Sequence, residues 1–174
     1  MLWCAAQIEG KPFDKAAVRK ALCEFEGVKR RMEVYVNTSE QVYIDDYAHH
    51  PRELSAALTS VRGMFPGRRI MAIFQPHLYT RTRDLYREFA EALSQADEVV
   101  LLPIYPAREE PIEGVSSEMI GRMLNLKWTI AEREELASLL ATIATDVVVT
   151  FGAGNIDVTC TGIAEVLRNK VVGA

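Results

Sequence analysis

The stretch Val42-Tyr43-Ile44-Asp45-Asp46-Tyr47-Ala48-His49-His50-Pro51-Arg52-Glu53-Leu54-Ser55-Ala56-Ala57-Leu58 decides the fold. Its opening, Val42–Asp45, reads as a β-strand. From Arg52 the period changes, with Leu54, Ala57, Leu58 and Val61 on one face of a helix expected over Arg52–Met64. The same unit recurs downstream. Strands are expected at Arg69–Phe74, Glu98–Leu102, Lys127–Ile130 and Asp146–Phe151. Between them lie helices at Thr82–Gln95 (Leu85, Phe89, Ala92, Leu93) and Glu132–Ala144 (Leu136, Leu139, Leu140, Ile143). A shorter helix near Ser117–Leu124 and one after Asn155 complete the pattern. Alternation of this kind predicts an α/β fold: a Rossmann-like, open, mostly parallel sheet with helices on both faces.

Upstream, the period is two in Met32–Val36 and again in Gln41–Ile44, with Asn37, Thr38 and Ser39 as turn residues, which predicts a β-hairpin. Before it, Val18, Ala21, Leu22 and Phe25 stand at helical spacing, Asp14 is placed to cap the helix and Gly27 to end it. The basic connector Gly27–Arg31 separates this first helix from the α/β unit. The expected division is therefore a helical piece and linker over 1–30 and the α/β domain over 31–174.

Composition limits the function. With 174 residues, 49% hydrophobic and 25% charged, the chain has the balance of a globular protein of about one domain. Its net charge of -4, with signs interspersed, argues against nucleic acid as a partner. No apolar run approaches a membrane span and Met1–Gln7 lacks the form of a signal peptide, so a cytoplasmic protein is expected, without a membrane partner. The cysteines Cys4, Cys23 and Cys160 are widely spaced and odd in number, and read as buried small apolar residues.

In open α/β sheets ligands bind beyond the carboxyl ends of the strands. All 3 histidines fall at such ends, His49 and His50 in one loop and His77 in the next. Two further loops, Tyr105-Pro106-Ala107-Arg108-Glu109-Glu110-Pro111 and Gly152-Ala153-Gly154-Asn155, complete one cleft. In the first loop Asp46 suits ribose hydroxyls and His49 suits acid–base work, yet Asp45, Asp46 and His50 equally suit capping the helix that Pro51 opens. In the second, Arg81, expected just ahead of its helix, is a candidate fork for an anionic substrate, whereas Arg83 and Arg87 read as a solvated face paired with Asp84, Glu88 or Glu91. A metal site is disfavoured because adjacent His49 and His50 cannot easily share one ion. The Gly152-x-Gly154 pair has Asp157 where a dinucleotide fingerprint needs its third Gly, so a tight turn near a ligand is expected there. No G-x-x-x-x-G-K-[ST] loop occurs; the only Gly-Lys pair, Gly10-Lys11, runs into Pro12.

Together the loops resemble the C-terminal domain of the Mur ligases, the ATP-dependent amide-forming enzymes of peptidoglycan precursor synthesis. Asp46-Tyr47-Ala48-His49-x-Pro51 is similar to the family signature, and Arg31-Met32-Glu33 to its Arg-x-Glu opening. Phe74-Gln75-Pro76-His77-x-Tyr79-Thr80-Arg81-Thr82, Tyr105-Pro106-Ala107 with Glu110-Pro111-Ile112, and Gly152-Ala153-Gly154-Asn155 are most similar to the alanine-adding branch. The branch that recycles a whole tripeptide shares the first loop but differs over Gln75–Thr82. The resemblance implies ATP and Mg2+, with L-alanine and UDP-N-acetylmuramate as partners in an intact enzyme whose central domain carries the P-loop. Residues 1–26 are similar to the end of that central domain, against which this domain would pack; because it lacks the P-loop, the chain alone is expected to be inactive. By matching position, Arg31 would reach nucleotide phosphates and Asp46 the ribose. Tyr47, His49, His77 and Arg81 would line the alanine site, with Arg81 on the carboxylate. His50, Tyr79, Gly152, Gly154 and Asn155 are weaker additions. The alternative from another class is a stand-alone nucleotide-binding or regulatory module.

Overall fold

The structure, a computed structural model, describes residues 14–25 and 27–172. Helix α1 spans Lys15–Cys23, followed by the hairpin β1 (Glu33–Asn37) and β2 (Val42–Asp46). Then come α2 (Pro51–Met64), β3 (Ile70–Phe74), α3 (Tyr79–Leu93), β4 (Glu98–Leu101), α4 (Glu118–Gly121) and β5 (Lys127–Ile130). A 3-10 turn, Arg133–Glu135, leads into α5 (Leu136–Thr142), and β6 (Val147–Phe151) is followed by a second such turn, Ile156–Thr159, and α6 (Cys160–Val172).

The sheet has 6 strands in the order β1-β2-β6-β3-β4-β5. β1 is antiparallel to β2 and every other pairing is parallel. Strands of such a sheet are buried on both faces and so are apolar at successive positions. Ile70, Ala72 and Phe74 of β3 point into one core with Leu54, Leu58 and Val61 of α2 and Phe89 of α3, while Met71 and Ile73 point into the other with Leu136, Leu140, Ile163 and Leu167. Each fully buried side chain of this size is worth about 1.5–3 kcal/mol. The crossovers β2-α2-β3 and β3-α3-β4 run outward from β2, whereas β5-α5-β6 runs back. Because such crossovers are right-handed, reversing direction puts α5 on the opposite face. The last strand thus lies between β2 and β3, and the helix that follows it, α6, packs on the opposite face from α2 and α3, which follow those neighbours. That is the topological switch point where a crevice opens.

The expected strands and the hairpin are present with ends shifted by a residue or so. Three helices differ. The expected Glu132–Ala144 helix is split into the 3-10 turn and α5, and only Glu118–Gly121 of Ser117–Leu124 is α-helical. α3 begins at Tyr79, so Arg81 lies in its first turn rather than ahead of it. α1 is capped by Asp14 as expected, but it buries no side chain: Leu22 is 66% and Phe25 63% exposed. Cys23 on that helix is exposed, which corrects the reading of it as a buried residue; Cys160 is buried, and Cys4 lies outside the described residues.

Candidate functional site

β2, β6 and β3 end level with one another, with Asp46 opposite Phe151 and Phe74 opposite Phe151. Their loops therefore emerge side by side.

The first loop is held from below. Asp46 is buried, its Oδ1 accepting the Ala48 amide at 2.8 Å and its Oδ2 the Met32 amide at 2.9 Å. Each carboxylate oxygen keeps lone-pair capacity for a further donor, so the group still fits a ribose hydroxyl. Asp45 is fully buried, taking 2.6 Å and 3.3 Å hydrogen bonds from Thr150 Oγ1 and Arg30 Nε. Burial pushes its carboxyl up, against the opposing pull of Thr150 and Arg30. Beneath it, burial raises the Cys160 thiol to about 11, so this cysteine is inert packing.

Arg30 organises this end of the crevice. Beyond Asp45, its guanidinium donates to the carbonyls of Gly152 and Gly154, lies 3.8 Å from an Asp157 oxygen, and sits 5.0 Å from the centre of the Tyr47 ring. Its carbonyl accepts the Tyr47 amide at 2.7 Å. Arg31 approaches the same ring at 5.8 Å but makes no ion pair among the described residues, which leaves its fork available to an anion.

His50 is the N-cap of α2, with its side chain accepting from the Arg52 amide, and Glu53 closes the capping box by accepting from the amides of His49 and His50. Glu53 Oε2 also lies 3.4 Å from His49 Nδ1. Although burial pushes it up, the His49 amide and ring with the His50 amide hold this carboxyl below its usual range. The His49 ring is thereby fixed edge-on to Tyr47 at 5.2 Å and faces the His77 ring at 6.2 Å.

His77 stacks on Tyr105 at 5.7 Å, and its buried Nδ1 has no partner. Burial, then the charges of Arg81 and His49, lower its pKa, so it is neutral at pH 7. Arg81 spans the two loops, its Nη1 reaching the His49 carbonyl at 3.5 Å. That long contact leaves most of its donors unused, and it makes no ion pair among the described residues. Arg83, by contrast, pairs with Asp84 at 2.7 Å, and Arg87 donates to the Tyr86 hydroxyl rather than to a carboxylate. Tyr79 lines a different depression of about 240 Å3 with Pro103, Ile104 and Val115.

The last loop needs its glycines. A Cβ on Gly152, whose φ is +149°, would meet the Gln75 carbonyl at 2.9 Å; one on Gly154 would meet Gln75 Oε1 at 2.5 Å and Tyr105 Cγ at 2.7 Å. Asn155 Oδ1 accepts from Gln75 Nε2 at 3.0 Å, while Gln75 Oε1 is buried without a partner.

The structure thus brings Tyr47, His49, His77 and Arg81 together in one cluster at the strand ends, with Arg31 and Asp46 at its β2 end. Arg30, Asp45, Glu53, Gln75 and Tyr105 are the supporting residues that sequence reasoning did not select. One signal was available: a charged Asp45 at a strand position buried on both faces requires a counter-charge, and the connector offers three, Lys29, Arg30 and Arg31. Among the described residues no three His, Cys, Asp or Glu side chains converge as a metal site. No helix there is long and apolar enough to cross a membrane.

The family pattern described as Mur ligase, glutamate ligase domain, matches residues 30–154. A UDP-N-acetylmuramate--L-alanine ligase of Flavobacterium johnsoniae is 42% identical over 167 residues, covering 95% of this chain and 37% of that protein. Its counterpart in Porphyromonas gingivalis is 49% identical over 142 residues, 80% of this chain and 31% of that one. The chain spans about a third of the length of these relatives. The crystal structure of the UDP-N-acetylmuramate-alanine ligase of Thermotoga maritima superposes with a TM-score of 0.70 at 30% identity, over 97% of this chain and 36% of that one. With its loops, its sheet order and the match over residues 30–154 all in agreement, the chain belongs to the Mur ligase family as a glutamate ligase domain.

Proposed function

We propose that this chain is the amino-acid-binding domain of a UDP-N-acetylmuramate--L-alanine ligase of peptidoglycan precursor synthesis. The observation that carries this reading is that the His49 and His77 rings meet edge to face beside Arg81, which no carboxylate among the described residues neutralises. A zwitterionic amino acid needs a fixed cation for its carboxylate and an acceptor for its amine, and Arg81 with the histidine rings beside it offers both. The similarity to alanine-adding ligases supports the same choice of substrate.

In the intact enzyme, ATP would phosphorylate the carboxylate of UDP-N-acetylmuramate to an acyl phosphate with release of ADP. The alanine amine, having lost a proton, then attacks the acyl carbon, and phosphate leaves as the amide forms. This chain's part is to hold the amine donor: Arg81 on the carboxylate, His77 and His49 beside the amine, and Tyr47 as a wall. Arg31 and Asp46 complete the nucleotide site at the phosphates and ribose. Mg2+ would be held mainly by the P-loop domain, as the family resemblance implies. The exposed Leu22 of α1 and Phe25 just beyond its end would pack against that domain, and the cytoplasm supplies the nucleotide.

In the complete ligase, Arg81→Ala raises the KM for L-alanine roughly tenfold or more, the scale of a lost charge-assisted hydrogen bond, with the KM for ATP nearly unchanged. Steady-state kinetics in both substrates checks this, and equal effects on both would remove Arg81 from the role.

A further inference from the structure

The first turn of α3 carries Arg81, yet it begins without a cap of its own. Leu78 at the N-cap position has φ +75° and no side-chain hydrogen bond to the helix. The first N–H groups of a helix have no partner inside it. Here the acceptor arrives from another loop: Glu109 Oε2 accepts from the Thr80 amide at 3.0 Å, and Oε1 from the Thr80 hydroxyl at 2.5 Å. Those bonds hold the Glu109 carboxyl below its usual range.

The same loop reaches the other end of this segment. Tyr105 stacks on His77, its carbonyl accepts the Leu78 amide at 3.0 Å, and its amide donates to the Pro76 carbonyl at 2.8 Å. Between these anchors the chain turns tightly, with the Glu109 amide bonded to the Pro106 carbonyl at 2.9 Å and Ala107 at φ +54°. The loop after β4 therefore grips the segment His77–Arg81 at both ends, through Tyr105 and Glu109. Negative charge is favourable at a helix N-terminus, and Glu109 supplies it without pairing with Arg81.

We propose that Glu109 is a positioning residue of the amino-acid site: by capping α3 from the neighbouring loop it sets the Arg81 guanidinium relative to His77 without touching substrate. This rests on the amino-acid-site reading above, and two measurements separate the two. The first is amide hydrogen exchange on this chain. The Thr80 amide is slow in the unsubstituted protein, and Glu109→Ala accelerates it roughly fivefold, the scale of a lost helix cap. Amides of β3 and β6 keep their rates, which shows that the fold survives.

The second is steady-state kinetics on the complete ligase. Glu109→Ala raises the KM for L-alanine roughly fivefold, leaves the KM for ATP within about twofold, and Glu109→Gln, which keeps a neutral acceptor, recovers part of the loss. An unchanged Thr80 exchange rate, or a loss spread equally over kcat and both KM values, overturns the proposal. If the unsubstituted ligase accepts a different amino acid instead, the alanine reading falls, and the KM for that amino acid decides on Glu109.

Discussion

Arg30 and Arg31 lean on one tyrosine ring, but only Arg30 has a buried carboxylate to answer. Asp45 is fully buried and Arg30 only 17% exposed, so truncating the arginine leaves a charge without compensation inside the protein. Arg30→Ala is expected to destabilise the fold by about 3–5 kcal/mol, and adding Asp45→Asn to recover part of it. Arg31→Ala, which breaks no ion pair, should stay within about 0.5 kcal/mol. Urea midpoints of the variants check this; a destabilised Arg31→Ala, or an unaffected Arg30→Ala, would reverse the assignment of roles. Reading the connector as a spacer missed this because a run of basic residues looks the same whether it is solvated or anchored. Only the position of Asp45, inside an otherwise apolar strand, hinted at the difference.

The elements whose pattern is local were the legible ones. β3 and β6 are apolar at nearly every position because both faces are covered, and α2 shows its Leu54, Leu58 and Val61 stripe with a proline at its start. What was not legible depends on contacts between distant residues. The start of α3 at Tyr79 is fixed by Glu109, and no pattern within α3 announces it. The site shows the same division: Tyr47, His49, His77 and Arg81 were readable as strand-end residues, whereas the packing that holds them was not. Gly154 looked like a turn residue, but its reason is the approach of Gln75 and Tyr105 to within 2.5–2.7 Å of where a Cβ would stand. Gly154→Ala is therefore expected to cost about 1–3 kcal/mol and to displace Tyr105 from His77. Thermal unfolding together with the aromatic proton shifts of His77 and Tyr105 checks it; an unmoved Tyr105 at wild-type stability would contradict the packing argument.

At the scale of the whole molecule, the described part is an α/β unit with a helix that shares none of its cores. α1 contributes no buried side chain, in keeping with its proposed place against a neighbouring domain. Replacing Leu22 and Phe25 with serine should thus leave the thermal midpoint of the chain within about 2 °C. A larger drop would mean that α1 does stabilise the α/β unit.

The position of β6 has a consequence for how such a chain is made. It is the last strand to leave a ribosome, yet it pairs with β2 on one side and β3 on the other, joining Val42 to Val147 and Ile70 to Val147. Until it arrives, β2 and β3 are two unzipped halves of a sheet with open, apolar edges, and the loops that carry His49 and His77 are not yet held side by side. During synthesis the nascent domain must therefore wait, exposed to aggregation and to chaperones, until β6 is translated. A stop codon ahead of Val147 would remove the keystone of the sheet rather than trim its margin.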